Sequence, residues 1–234
     1  MRVPAFNDFR KVRVKNILSM NLISAVSFLM ITAASSFFCG HKTEHSGFDK
    51  SDRNVTSRDS CDSPDAPFGC YFANMPSGLS GTMMIPVTGE SADRLEITGT
   101  GSDKSGKPVE GVVIYAYHTD SDGYYSKSGN ESGVQKWHGK LHGWCVTDSE
   151  GKYRISTIRP APYPGNLFPA HIHAALKLPD GSITLINDYV FSDDPMVNSK
   201  YESGLESLPG GTGIMKLQRA DGKWTGVRDI DLLN

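Results

Sequence analysis

Residues 144–157 read WCVTDSEGKYRIST, and they decide the fold class. Trp144-Cys145-Val146 is a short apolar run of residues that favour extended backbone. Asp148-Ser149-Glu150-Gly151 is a turn: its small polar side chains bond to their own backbone, and its glycine accepts a positive φ. Tyr153, Ile155 and Thr157 then alternate with Arg154 and Ser156. A period of two puts alternate side chains on opposite faces of a strand. Strand, turn and strand form one unit, and the same pattern extends to either side.

Upstream, Leu95 and Ile97 alternate with Arg94, Glu96 and Thr98, Gly106-Lys107-Pro108 is a turn, and Val112–Tyr117 is a further strand. A polar stretch, 118–140, follows. Downstream, Ala170–Leu178 is a strand closed by Pro179-Asp180-Gly181, and Ile183–Phe191 runs to Asp193-Asp194-Pro195. Met215–Leu217 and Trp224–Val227 are the last strands. About seven or more short strands with turns between them predict an all-β chain, an antiparallel β-sandwich with long loops. Composition agrees. The 24 glycines and 13 prolines in 234 residues supply many turns, without the every-third glycine of collagen or the Ala/Glu/Lys/Leu excess of a coiled coil. A net charge of −2 gives no reason to expect a nucleic-acid partner.

The first residues have a different character. Residues 1–16 hold Arg2, Arg10, Lys11, Arg13 and Lys15 against Asp8, and Ile17–Phe38 contains no charge. A basic start before an apolar run is an export signal, and its length also suits a membrane anchor. Residues 1–38 are therefore expected to be a signal peptide or anchor. Cys39-Gly40 then resembles the lipid-modified cysteine of bacterial lipoproteins. Lipidation at Cys39 with a membrane tether, cleavage near Ala33–Ser36, and an uncleaved anchor are the alternatives, and all place the folded part outside the cytoplasm. Residues 39–69 read as a polar tether, and the folded domain as 70–234. In an oxidising compartment Cys61 and Cys70, nine apart across a Pro-containing loop, are the expected disulfide, and Cys145 a buried thiol.

The chemistry concentrates in a few motifs. His171-Ile172-His173 on a strand puts two imidazoles on one face, within reach of one metal ion. Upstream, Arg159-Pro160-Ala161-Pro162-Tyr163-Pro164-Gly165 surrounds one tyrosine with three prolines, each of which locks φ and can hold Tyr163 in a set direction. Read alone, this is equally a Pro-rich turn with a packing tyrosine. Tyr117-His118-Thr119-Asp120 and Gly123-Tyr124-Tyr125 form a third cluster in a polar loop. Tyrosinate is a hard anionic oxygen donor, so two histidines and two tyrosinates would suit Fe(III).

The segments GVVIYAYHTDSDGYYS, HGWCVTDSEGKYRISTIRPAPYPGNLFPAHIH and LINDYVFSDDP cover much of residues 93–195. In this order they resemble the intradiol ring-cleavage dioxygenases, the group that includes catechol and protocatechuate dioxygenases. The resemblance implies one non-haem Fe(III) held by Tyr163, His171, His173 and a tyrosine of the GYY element, where Tyr125 aligns best and Tyr124 is the rival. Asp188 falls where the family has a polar residue beside the substrate. The implied substrates are a catechol and O2. The diol binds the iron and loses its protons, Tyr125 leaves the metal and accepts one, oxygen attacks the ring carbon, and a cis,cis-muconate-type diacid results. The chain departs from the family in three places. Asn166-Leu167-Phe168 stands where relatives usually carry an arginine, His142 stands where many have another, and Ala174-Ala175 replaces a frequent aromatic. Arg159 is either the substitute for the missing cation or a structural residue.

A second resemblance is of another class. Lys107-Pro108-Val109-Glu110-Gly111-Val112, with Thr147-Asp148-Ser149-Glu150-Gly151-Lys152-Tyr153, is similar to transthyretin-like cell-surface sandwich domains, which bind or space without catalysis. The PYPG and PAHIH elements separate the two, since a spacer has no need of them.

Overall fold

A computed structural model of the chain describes residues 61–165 and 168–232. The expected signal or anchor, Cys39, and most of the tether lie outside these residues, as do Asn166 and Leu167 of the arginine-less segment. The end of the expected tether, residues 61–69, is described, and within it Cys61 and Ala66 are buried. Cys61 and Cys70 are joined as a disulfide and bury themselves with Ala66 and Val134. The cross-link and this small apolar cluster hold a stretch whose polar composition alone predicts a loose chain.

Twelve strands are described: β1 Thr82–Met84, β2 Arg94–Ser102, β3 Val113–His118, β4 His142–Val146, β5 Lys152–Ile158, β6 His171–Lys177, β7 Ile183–Leu185, β8 Tyr189–Phe191, β9 Ile214–Met215, β10 Leu217–Ala220, β11 Lys223–Val227 and β12 Ile230–Asp231. Two single-turn helices, α1 Gln135–His138 and α2 Ser199–Ser203, and a 3-10 turn at Phe68–Phe72 complete the elements. One sheet runs β1-β5-β2-β11-β10, with β12 also beside β2. The other runs β4-β3-β6-β8-β9, with β7 also beside β6. The fold is the expected all-β sandwich, but its sheets are mixed. β1 with β5, β11 with β2, β12 with β2 and β8 with β9 pair in parallel. Hairpins force antiparallel pairing only between strands joined by a tight turn. None of these four pairs is joined by a tight turn.

The core lies between the sheets. Leu95 and Ile97 of β2 and Ile155 of β5 meet Ile114 and Ala116 of β3, Cys145 of β4, and Ile172, Ala174 and Leu176 of β6. Each set is every second residue of its strand, as the period of two requires. The residues between them, Tyr115, Tyr117, Trp144, His171, His173 and Ala175, face the other side of the second sheet. Burial pushes the Cys145 thiol up to about 12, so it stays a neutral core residue.

Candidate metal centre

The outer face of β6 carries the site. His171 and His173 lie two apart, with Ile172 between them turned into the core. β8 pairs with β6 through His171 and Val190, and through Ile172 and Tyr189. That register brings Asp188 beside His173, where its carboxylate accepts the Nδ1–H at 2.9 Å. The carbonyl of Pro169 accepts the Nδ1–H of His171 at 2.7 Å. A carbonyl oxygen cannot donate, so these bonds fix both tautomers: each ring turns the lone pair of Nε2 inward.

Two loops bring the tyrosines. In the first, the Asp120 carboxylate accepts the backbone N–H groups of Asp122 and Tyr124, each at 2.9 Å, and the Ser126 hydroxyl. In the second, Pro162 and Pro164 flank Tyr163. The Thr119 hydroxyl donates to the Ala161 carbonyl at 2.6 Å and joins the loops. Gly123 lets them touch: its φ is +84°, and a Cβ there would lie 2.2 Å from the Pro162 carbonyl oxygen. Tyr125 turns inward as a result, while its neighbour Tyr124 is 53% exposed.

The four groups converge. The Tyr125 and Tyr163 hydroxyls are 2.5 Å apart. His173 Nε2 lies 3.1 Å from each hydroxyl and 3.1 Å from His171 Nε2, and His171 Nε2 lies 3.2 Å from the Tyr163 hydroxyl. Two ligands about 2 Å from one ion, near tetrahedral angles, stand about 3.3 Å apart. The cluster has that size. Its electronics agree, because two inward lone pairs 3.1 Å apart repel unless an electrophile lies between them. Two imidazole nitrogens and two phenolic oxygens therefore fit a single hard or borderline cation such as Fe(III). One donor atom from each of His171, His173 and Asp188 lies within 4.8 Å of the others.

Burial sets the protonation of the site without a metal. It lowers the His171 pKa to about 4, with His173 adding to the effect, so His171 is neutral at physiological pH. Burial raises Tyr125 and Tyr163 well above the ordinary phenol, and the charge of Asp188 adds to the rise in both. A cation between them would act in the opposite sense and favour phenolate.

Of the expected residues, Tyr125, Tyr163, His171, His173 and Asp188 come together. Arg159 does not join them. Its guanidinium makes two 2.8 Å bonds to Asp193 and lies 5.0 Å and 4.9 Å from the ring centroids of Phe191 and Trp224. A planar cation finds a bidentate carboxylate and two ring faces there, which makes it a brace of the outer wall. His142 donates through Nδ1 to the Gly139 carbonyl.

Sequence reasoning missed the layer behind His173. Tyr117 of β3 pairs in register with His173 and stacks on its ring, centroids 4.7 Å apart. His138 stacks on Tyr117 at 3.6 Å and 5°, and its Nδ1 bonds the Tyr115 hydroxyl at 2.8 Å. The tyrosines have a signal in the period-two run of β3. His138, alone in a polar loop, has none.

A family model described as a dioxygenase matches residues 69–207. Chlorocatechol 1,2-dioxygenase of Rhodococcus opacus is 33% identical over 158 residues, 60% of this chain and 60% of that protein. The protocatechuate 3,4-dioxygenase beta chain of Burkholderia cepacia is 32% identical over 111 residues, 45% of this chain and 47% of that one. The chain thus spans less than two thirds of the length of these relatives. Among solved structures, the dioxygenase domain of a dioxygenase–carbohydrate-binding fusion from Streptomyces sp. SirexAA-E superposes with a TM-score of 0.51 at 20% identity, over 74% of this chain and 97% of that one. The last likeness speaks for the fold. The family match runs through every segment that builds the candidate site, and on it the chain belongs to the intradiol ring-cleavage dioxygenase family.

Proposed function

We propose that the protein binds one Fe(III) through Tyr125, Tyr163, His171 and His173 and uses O2 to cleave a catechol between its two hydroxyl-bearing carbons, giving a cis,cis-muconate-type diacid. The observation that carries this reading is the meeting of four donor atoms, two nitrogens and two phenolic oxygens, at edges of 2.5–3.2 Å. Relatives named for chlorocatechol and protocatechuate cleavage support the substrate class. Ferric iron bound there supplies a Lewis acid and an electron acceptor for the bound diol.

The chain's own residues divide the remaining work. His171 and His173 offer nitrogens whose direction is fixed by Pro169 and Asp188. Tyr163, held between prolines, is the fixed oxygen. Tyr125 stands on the other loop, and its phenolic oxygen is placed to take a proton from the diol as it binds. Asp188 keeps the Nδ1 proton of His173 in place throughout.

Purified full-length protein tests the reading through its iron content, its visible spectrum and its O2 uptake with a catechol panel. About one iron per chain, a red tyrosinate-to-iron band bleached by Tyr163→Phe, and O2 uptake are expected. A sample that stays colourless after ferric loading would overturn it.

We also propose that the folded part works outside the cytoplasm. The basic start, the apolar run and the Cys61–Cys70 disulfide support this. Fractionation of expressing cells is the check, and full-length chain in the cytoplasmic fraction would refute it.

A further inference from the structure

The Asp188 carboxylate accepts the Nδ1–H of His173 at 2.9 Å and settles the tautomer of that ring. A hydrogen bond tolerates about 30° of misalignment before it weakens, so this bond alone leaves the imidazole room to tilt. A tilt moves Nε2, the atom that lies 3.1 Å from both tyrosine hydroxyls.

Tyr117 limits that tilt. It pairs with His173 across β3 and β6, and its ring lies beside the imidazole with centroids 4.7 Å apart and planes 29° apart. Tyr117 is held in turn by His138, whose ring is nearly parallel to it at 3.6 Å and 5°. His138 is buried, and its Nδ1 shares a 2.8 Å hydrogen bond with the Tyr115 hydroxyl. The Tyr71 ring, on the 3-10 turn Phe68–Phe72, stands at 89° to the His138 ring with centroids 4.8 Å apart. The Tyr71 carbonyl accepts the indole N–H of Trp144 at 2.9 Å. A file of rings therefore leads from this braced turn to the imidazole of His173.

The end of α1 touches the Tyr125 loop as well. The Lys140 N–H donates to the Ser126 carbonyl at 2.7 Å, and a Cβ on Gly139 would lie 2.8 Å from the same oxygen. The element that carries His138 thus abuts both a histidine and a tyrosine segment of the candidate site.

We propose that Tyr117 is a positioning residue: backed by His138, it fixes the plane in which His173 offers Nε2 to a metal. The proposal rests on the iron reading above and deepens it. The stack also favours the loaded state. An imidazole bound to a cation shares its positive charge and becomes electron-poor. The face of a phenol ring is negative, so it attracts such an imidazole more than a neutral one. Loss of the phenol face therefore weakens metal binding in addition to the fold.

The test is iron retention by the full-length protein, read by competition with a chelator and by the position of the visible band, with urea unfolding of each variant alongside. Tyr117→Leu is expected to release iron about tenfold more readily and to shift the band. Tyr117→Phe keeps the ring face and should stay within about twofold of the parent. Ile114→Ala opens the core face of the same strand; it should lose stability yet keep the iron retention and band of the parent. His138→Leu withdraws the backing ring and should cost about threefold in retention, and it decides the question if Tyr117→Leu does not fold. Parent-like retention in the leucine variants would overturn the proposal. So would an equal loss in Ile114→Ala, which would make the effect a general loosening, or an equal loss in Tyr117→Phe, which would assign it to the hydroxyl. A parent protein that takes up no iron would instead overturn the iron reading, and this one with it.

Discussion

The Asp188 carboxylate accepts the Nδ1–H of His173 at 2.9 Å and thereby decides which nitrogen of that ring turns toward Tyr125 and Tyr163. Partners behind a metal-ligating histidine commonly change metal affinity by about 10- to 100-fold. Asp188→Ala is expected to weaken iron retention by a factor in that range, read by competition with a chelator. Asp188→Asn keeps an acceptor oxygen and should fall between the alanine variant and the parent. Equal retention in all three would remove Asp188 from the site.

Gly213 supports the same segment from below. Its φ is +75°, and a Cβ would lie 2.0 Å from the Asp188 carbonyl oxygen. Gly213→Ala must therefore displace the backbone that carries Asp188. We expect a loss of about 2 kcal/mol or more in urea unfolding, together with weaker iron retention. A drop in stability alone would show that the segment can move without disturbing His173.

Acid should destabilise the metal-free protein before its carboxylates titrate. His118 is buried, donates from Nδ1 to the Thr119 carbonyl at 2.7 Å and accepts the Thr157 hydroxyl at Nε2 at 2.6 Å. Burial lowers its pKa to about 4, against 6.5 for an unhindered histidine. Between those values the unfolded chain binds more protons than the folded one. Stability is therefore complete above about pH 6.5 and declines as the pH falls toward 4, by up to about 1.4 kcal/mol per pH unit for this residue. His171, also lowered to about 4, acts in the same direction. Urea midpoints at pH 7.5 and pH 5 should differ accordingly, and His118→Gln should flatten the difference.

The disulfide can be tested without reference to the metal. Cys61 and Cys70 close a loop of nine residues' separation, for which chain entropy gives about 2–3 kcal/mol. Cys61→Ser with Cys70→Ser should lower the thermal midpoint by a shift consistent with that figure. Cys145, buried in the core, should stay unreactive toward thiol reagents until the protein unfolds.

The sequence carried the strands well, because burial on one face imposes a period of two that survives in Leu95-Ile97 and Tyr153-Ile155. It did not carry their order. The parallel pairing of β11 with β2 joins Trp224 to Leu95, residues linked by no local pattern. The convergence of Tyr163, His171 and His173 was legible for a related reason: HIH and the prolines around Tyr163 are local devices. Arg159 was not, since its role is set by Asp193, Phe191 and Trp224, which lie 32 to 65 positions further along the chain. The stack of His138 on Tyr117 and His173 likewise joins three separate elements.

His171 and His173 share a strand with Ile172, Ala174 and Leu176, yet the first pair lies on one face of the sheet and the other three on the opposite face. Chemistry and cohesion are thus assigned to alternate residues of a single strand. Substitutions could remodel the reactive face, or erase it, while the hidden face kept the scaffold assembled. A descendant without these histidines could retain this architecture and take up another trade.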